Sequence, residues 1–192
     1  EDVISESGVN IRGAGDESGI NTSYKKELEY LKEIRNKLPE GSKYKGFDEF
    51  GKPIGNVAYS TSDIKNYSIP EMKSHSRIGS LGKNGIKNPV DGWISNVGDG
   101  RYSSLVEKVD RNNQINPNGT LRINDTEYKI IENYNKILNG DSMASGTINI
   151  YSERIVCPSC EKIIKAFSCD YPNIKINVLD AEGNLYIVLG GT

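Results

Sequence analysis

Residues 146–179, GTINIYSERIVCPSCEKIIKAFSCDYPNIKINVL, carry the architecture. Ile148 and Ile150 alternate with polar neighbours over 147–152, the period-2 pattern of a half-buried strand. Pro158 suits a first helical turn. Cys160, Ile163, Ile164 and Phe167 then recur at helical spacing, which predicts a helix over 158–167. Ile174, Ile176 and Val178 give a second strand over 174–179. A strand–helix–strand unit of this kind closes as a right-handed crossover with parallel strands. A third strand, 185–189, follows a link too short for a crossover, so it pairs as an antiparallel hairpin.

Upstream, Ile130, Ile131, Tyr134, Ile137 and Leu138 form one face of a helix over 125–138, with Asn124 or Asp125 as the N-cap type and Gly140 as the stop. The last third therefore reads α, β, α, β, β. The fold class is α/β, a mixed sheet flanked by helices. Farther upstream, Leu28, Leu31, Ile34 and Leu38 predict a helix over 23–38. Residues 40–56 read as loop. Strands are expected over 56–64 and 71–78, with 67–70 as the turn. Residues 79–120 are dense in Gly and Asn, with one short helix expected at 104–109. There is no internal repeat. Residues 1–20 are acidic, rich in Gly and Ser and without apolar period, and read as a linker or disordered tail. Residues 21–192 make one domain, with its core over about 54–190.

The chain has 192 residues and a net charge of −2, which excludes a chain-wide cationic nucleic-acid binder. The charge is uneven: −4 over residues 1–20, +4 over 21–120 and −2 over 121–192. A locally basic surface in the middle segment is compatible with this. No run of about 18 apolar residues exists to span a membrane, and no secretory h-region opens the chain. With no starting Met, the sequence reads as a piece of something longer. Three cysteines do not make a disulfide framework.

Two of those cysteines form Cys157-Pro158-Ser159-Cys160, and Asp125 and Glu127 stand at the start of the preceding helix. Cys-x-x-Cys on a first helical turn aims both sulfurs at one tetrahedral ion, and a helix N-terminus favours thiolate. If the two helices lie side by side, Asp125 supplies a third ligand and Glu127 stands nearby without binding the metal. Zinc in such a site makes water a usable nucleophile at neutral pH, and a Glu can move its proton to a leaving amine. Other readings stay open. A structural zinc knuckle would recruit Cys169 and His75 as closing ligands. A redox pair would need a thioredoxin-type element order, which is absent. Asp125 and Glu127 also suit a plain N-cap and a plain first-turn acid.

These residues resemble the zinc-dependent nucleoside and nucleic-acid deaminases, whose signature is H-x-E followed by P-C-x-x-C. Here Asp125-Thr126-Glu127 precedes Cys157-Pro158-Ser159-Cys160, with 30 residues from Glu127 to Cys157. The stretches RINDTEYKIIE and GTINIYSERIVCPSCEKIIKAFSCDYPNIKINV are similar to the bacterial polymorphic-toxin branch, as are GNVAYSTSDI and MKSHSRI. The resemblance covers roughly 50–190 and is strongest over 122–179. The sequence departs from the pattern at Asp125, where His or Cys is usual, and at Val156, where Pro is usual.

The resemblance implies a cytidine deaminase-like fold, with Zn2+ held by Asp125, Cys157 and Cys160 and Glu127 as general acid and base. It implies conversion of cytosine to uracil in nucleic acid, DNA favoured over RNA, with the base single-stranded or flipped. Candidate substrate contacts are Asn56, Ala58, His75, Ser76 and Arg154, with Arg122 as a further phosphate candidate. Trp93 and Tyr102 are candidates for base stacking or for the core, and Cys169 is expected to be a small buried residue. The implied setting is a monomeric toxin domain of a larger secreted protein, blocked by a cognate immunity protein and acting in the target-cell cytoplasm. Alternatives are a deaminase of RNA or free nucleosides and nucleotides, or a non-catalytic zinc-binding interaction module.

Overall fold

The computed structural model describes residues 24–40, 42 and 44–190, and the backbone of 3–4 and 9–12. The elements in chain order are β1 (Val3–Ile4), β2 (Val9–Arg12), α1 (Lys25–Asn36), β3 (Val57–Ile64), β4 (Met72–His75), β5 (Ser80–Gly82), β6 (Gly85–Lys87), β7 (Lys108–Val109), β8 (Thr120–Leu121), α2 (Thr126–Leu138), β9 (Gly146–Ser152), α3 (Pro158–Asp170), β10 (Ile174–Asp180) and β11 (Leu185–Leu189).

Five strands form a mixed sheet in the order β4-β3-β9-β10-β11, extended past β11 by β2 and β1. The predicted crossover is present: β9 and β10 run parallel, Ile148 opposite Ile176 and Ile150 opposite Val178. The predicted hairpin is present too, with β10 and β11 antiparallel. β3 lies antiparallel to both β9 and β4. Gly146 opens β9 at φ +147°, and a Cβ there would sit 2.0 Å from the Asp63 carbonyl of the neighbouring strand, so only glycine lets the two strands close.

Period-2 alternation sends each strand's side chains to two cores. Ala58, Ile148, Ile150, Ile176 and Val178 pack with Ile130, Ile131 and Tyr134 of α2 and Ile163, Ile164 and Phe167 of α3. Val57, Tyr59, Tyr151, Leu179 and Leu185 face the other way, onto Leu31 and Ile34 of α1. The Tyr59 and Tyr151 rings stack there at 4.8 Å. A buried cation joins that second layer to the sheet. Arg35 of α1 donates from Nε and Nη2 to both carboxylate oxygens of Glu153, at 2.9 and 2.6 Å.

Three expectations are corrected. Residues 104–109 do not form a helix: a 3-10 turn covers Ser103–Leu105, Val106 is extended, and Lys108–Val109 pairs with β8. Residues 168–170 continue α3, which leaves Cys169 exposed on its last turn. Within the segment read as a tail, 3–4 and 9–12 pair as short strands at the sheet edge; the rest of 1–20 lies outside the described residues.

Candidate active site

Helices α2 and α3 flank β9 in sequence and pack side by side, so their N-termini meet at one end of the sheet. Asp125 is the N-cap residue of α2, yet its side chain makes no capping bond. Its carboxylate turns to the neighbouring helix instead. Cys157, the N-cap of α3, donates its thiol to Asp125 Oδ2 at 3.1 Å, and the Cys160 thiol reaches the same oxygen at 3.6 Å. The three ligand atoms all lie within 4.8 Å of one another. Glu127, one helical step on, sits 4 % exposed with Oε2 at 3.8 Å from the Cys160 sulfur.

Burial raises the Glu127 carboxyl above its usual range and the nearby Asp125 adds to this; the hydroxyls of Ser152 and Thr126 oppose it. Burial likewise raises Asp125. The Cys160 thiol is pushed well up, first by its hydrogen bond with Cys157 and then by burial. Among the described residues, Glu127 Oε1 and Asn56 Oδ1 are buried without a hydrogen-bond partner. Asn56 Nδ2 is fixed by Thr126 Oγ1 at 2.8 Å and Ser152 Oγ at 2.9 Å, which holds the amide oxygen in place as a spare acceptor.

Asp125, Glu127, Cys157 and Asn56 line a cleft of about 770 Å³, with Ser76, Arg122 and Arg154 also on its walls. Ser76 Oγ accepts from the Asn56 N–H and supports that wall. His75 and Ala58 do not line it. Ala58 lies in the core. His75 is 0 % exposed, its Nε2 on the Tyr44 carbonyl and its Nδ1 accepting from the Arg77 N–H. Burial lowers its pKa to about 4. Neither His75 nor Cys169 joins the Asp125, Cys157 and Cys160 group, so the four-ligand closed site is not formed among the described residues. Tyr102 is buried in the core, and Trp93 packs edge-on near His75.

A feature absent from the sequence reading frames the mouth. Three five-residue turns, 48–52, 110–114 and 180–184, share one hydrogen-bond pattern. In each, the Asp Oδ1 accepts the N–H groups two and four residues on: Phe50 and Lys52, Asn112 and Gln114, Glu182 and Asn184, all at 2.9 to 3.0 Å. In each, the fourth residue has positive φ: Gly51, Asn113 and Gly183. All three turns contribute to the cleft. The sequence signal is D-x-x-[GN]-x, carried by DEFGK, DRNNQ and DAEGN.

Compared with protein families, residues 31–182 match the model of the Toxin-deaminase family, described as the BURPS668_1122 family of deaminases. The chain belongs to this family. No curated protein and no solved structure matches the deaminase. Its donor set fits a metal of the kind such enzymes use. A tetrahedral zinc with sulfur at about 2.3 Å and oxygen at about 2.0 Å has an oxygen–sulfur edge of about 3.5 Å. The Asp125–Cys157 and Asp125–Cys160 separations of 3.1 and 3.6 Å bracket that edge. Two soft sulfurs and one carboxylate also suit zinc over calcium or magnesium.

Proposed function

We propose that this toxin deaminase converts cytosine to uracil in nucleic acid, DNA in preference to RNA, by zinc-dependent hydrolysis of a base outside the duplex stack. The observation that carries this is the buried Glu127 carboxyl beside the Asp125, Cys157 and Cys160 group, with its Oε1 unspent on a residue that lines the cleft. Asp125, Cys157 and Cys160 would hold the ion; when bound, zinc makes water nucleophilic at neutral pH. Glu127 takes the water's proton and delivers it to the exocyclic N4, so the C4–O bond forms, the C4–N4 bond breaks, and ammonia leaves. A raised carboxyl pKa suits a group that must both accept and return a proton. Asn56 Oδ1 offers an acceptor to an N–H or O–H of the nucleotide. The reading extends to the setting: a monomeric domain of a secreted toxin, acting in the target cytoplasm and blocked by an immunity protein.

The test is a fluorescent single-stranded oligonucleotide with one cytosine, scored by uracil excision and strand cleavage, with Glu127→Ala alongside. Product from the wild type and a loss of about 10²–10⁴-fold in the variant are expected. No product from DNA, RNA or cytidine while one zinc is bound per chain would overturn the reading in favour of a non-catalytic zinc module.

A further inference from the structure

We propose that Lys52 and Arg111, on two of the three braced turns, hold the phosphates on either side of the reacting nucleotide, so that the cleft takes a single nucleic-acid strand in preference to a free nucleoside. This deepens the deaminase reading and rests on it.

Four basic side chains line the cleft: Lys52, Arg111, Arg122 and Arg154. Two are engaged by their own chain. Arg154 donates Nη2 to the Pro53 carbonyl at 2.7 Å, and Arg122 has Nη1 3.9 Å from Asp125 Oδ1. Lys52 and Arg111 make no ion pair and no side-chain hydrogen bond among the described residues, and both are exposed. The acids around them are mostly committed. Asp48 and Asp110 brace their own turns, Glu153 pairs with Arg35 and accepts the Val57 N–H, and Asp125 faces the thiols. Glu49 and Glu182 are exposed, and their carboxylates make no hydrogen bond or ion pair among the described residues.

The two unspent cations come from different turns. The 48–52 turn is closed by the Phe47–Pro53 bridge and tied to the end of β9 through Arg154. The 110–114 turn caps the β7–β8 hairpin that leads into α2. Asp125 and Glu127 lie on the same cleft. The first turn also presents Phe50 at its tip, 80 % exposed. Two free cations from separate turns of the cleft that holds the reaction centre, with an exposed aromatic on one turn, match what a single strand needs: charge for its phosphates and a ring face for an adjacent base. A nucleoside has no phosphate to use them. A protein occupant is less well matched, because most residues that line the cleft are charged or polar.

Binding separates this proposal from catalysis. A labelled single-stranded DNA 9-mer with one central cytosine is titrated, by fluorescence anisotropy, with the full chain carrying Glu127→Ala, from 50 to 200 mM salt. Two phosphate contacts to a single strand give a slope of log affinity on log salt of about −1.4, a weakening of about sevenfold across that range. In the same background, Lys52→Ala and Arg111→Ala are each expected to flatten the slope by about 0.7. Lys52→Arg and Arg111→Lys should restore it, and Lys175→Ala, on an exposed strand position elsewhere, should leave it as it was. Unchanged slopes in both alanine variants would overturn the clamp. Thermal melts of the same variants exclude unfolding as the cause of a change. If the slopes behave as expected but the wild type yields no uracil, the clamp stands and the deaminase reading fails; uracil with unaltered slopes gives the reverse.

Discussion

Arg35→Met removes one half of a nearly dry ion pair, and its cost follows from the contacts. Arg35 is 2 % exposed and its Glu153 partner 11 %. The fork donates twice to the carboxylate, and Nη1 donates to the carbonyls of Tyr44 at 2.9 Å and Ile54 at 3.2 Å. Without it, Glu153 keeps only the Val57 N–H as a described donor, at 2.7 Å. Breaking a buried pair from one side costs about 3–5 kcal/mol, and the Ile54 carbonyl, which loses its described donor, places this site at the upper end. A domain of this size is held by about 5–15 kcal/mol, so the variant is expected to lose a large share of its stability. Urea denaturation followed by circular dichroism reads this directly. With a slope of about 2 kcal/mol per molar, the midpoint should fall by about 2 M. Arg35→Met with Glu153→Leu should recover most of the loss, because it leaves no charge stranded. A single-variant cost below about 1 kcal/mol, or a double variant equal to the sum of the singles, would refute the argument.

Cys157→Ser should reduce bound zinc from one per chain to none after dialysis, in a colorimetric zinc assay; retention of a full equivalent would remove Cys157 from the ligand set. His75 is neutral when folded: its folded pKa of about 4 lies below the unfolded 6.5, so the unfolded chain binds the extra proton between those values. Its contribution is therefore complete above pH 6.5 and lost as pH falls to 4, by about 3 kcal/mol, and His75→Gln should flatten that part of the stability profile measured by urea midpoints. Gly55→Ala would set a Cβ 2.5 Å from the His75 ring at a φ of +70°, so a lowered melting temperature and lost turnover through the adjacent Asn56 are expected.

The core of the fold was legible because its apolar periods are clean. Ile148, Ile150, Ile176 and Val178 alternate, and α2 and α3 carry unbroken helical faces. The grouping of Asp125, Cys157 and Cys160 was legible because Cys-x-x-Cys and D-x-E each sit at a helix start. Arg35 was not, since one Arg among Lys and Glu on an amphipathic helix looks like any solvated charge; its carboxylate partner, Glu153, lies 118 residues away, just past β9. His75 was misplaced toward the substrate for a related reason. Its neighbour Ser76 does line the cleft, and a strand sends adjacent side chains to opposite faces. The short helix expected at 104–109 failed because Lys108 and Val109 are drawn into a small hairpin by Leu121 and Thr120, a non-local pairing.

The three Asp-braced turns have an evolutionary consequence. Each is stiffened by bonds within its own five residues, and the side chains of its middle positions make no hydrogen bond or ion pair with a distant neighbour among the described residues. Residues such as Glu49, Arg111 and Ala181 can drift while the Asp and the positive-φ position stay, and the scaffold will not register the change. A rim built this way is modular: what it greets can be rewritten one tip at a time, without disturbing the chemistry beneath.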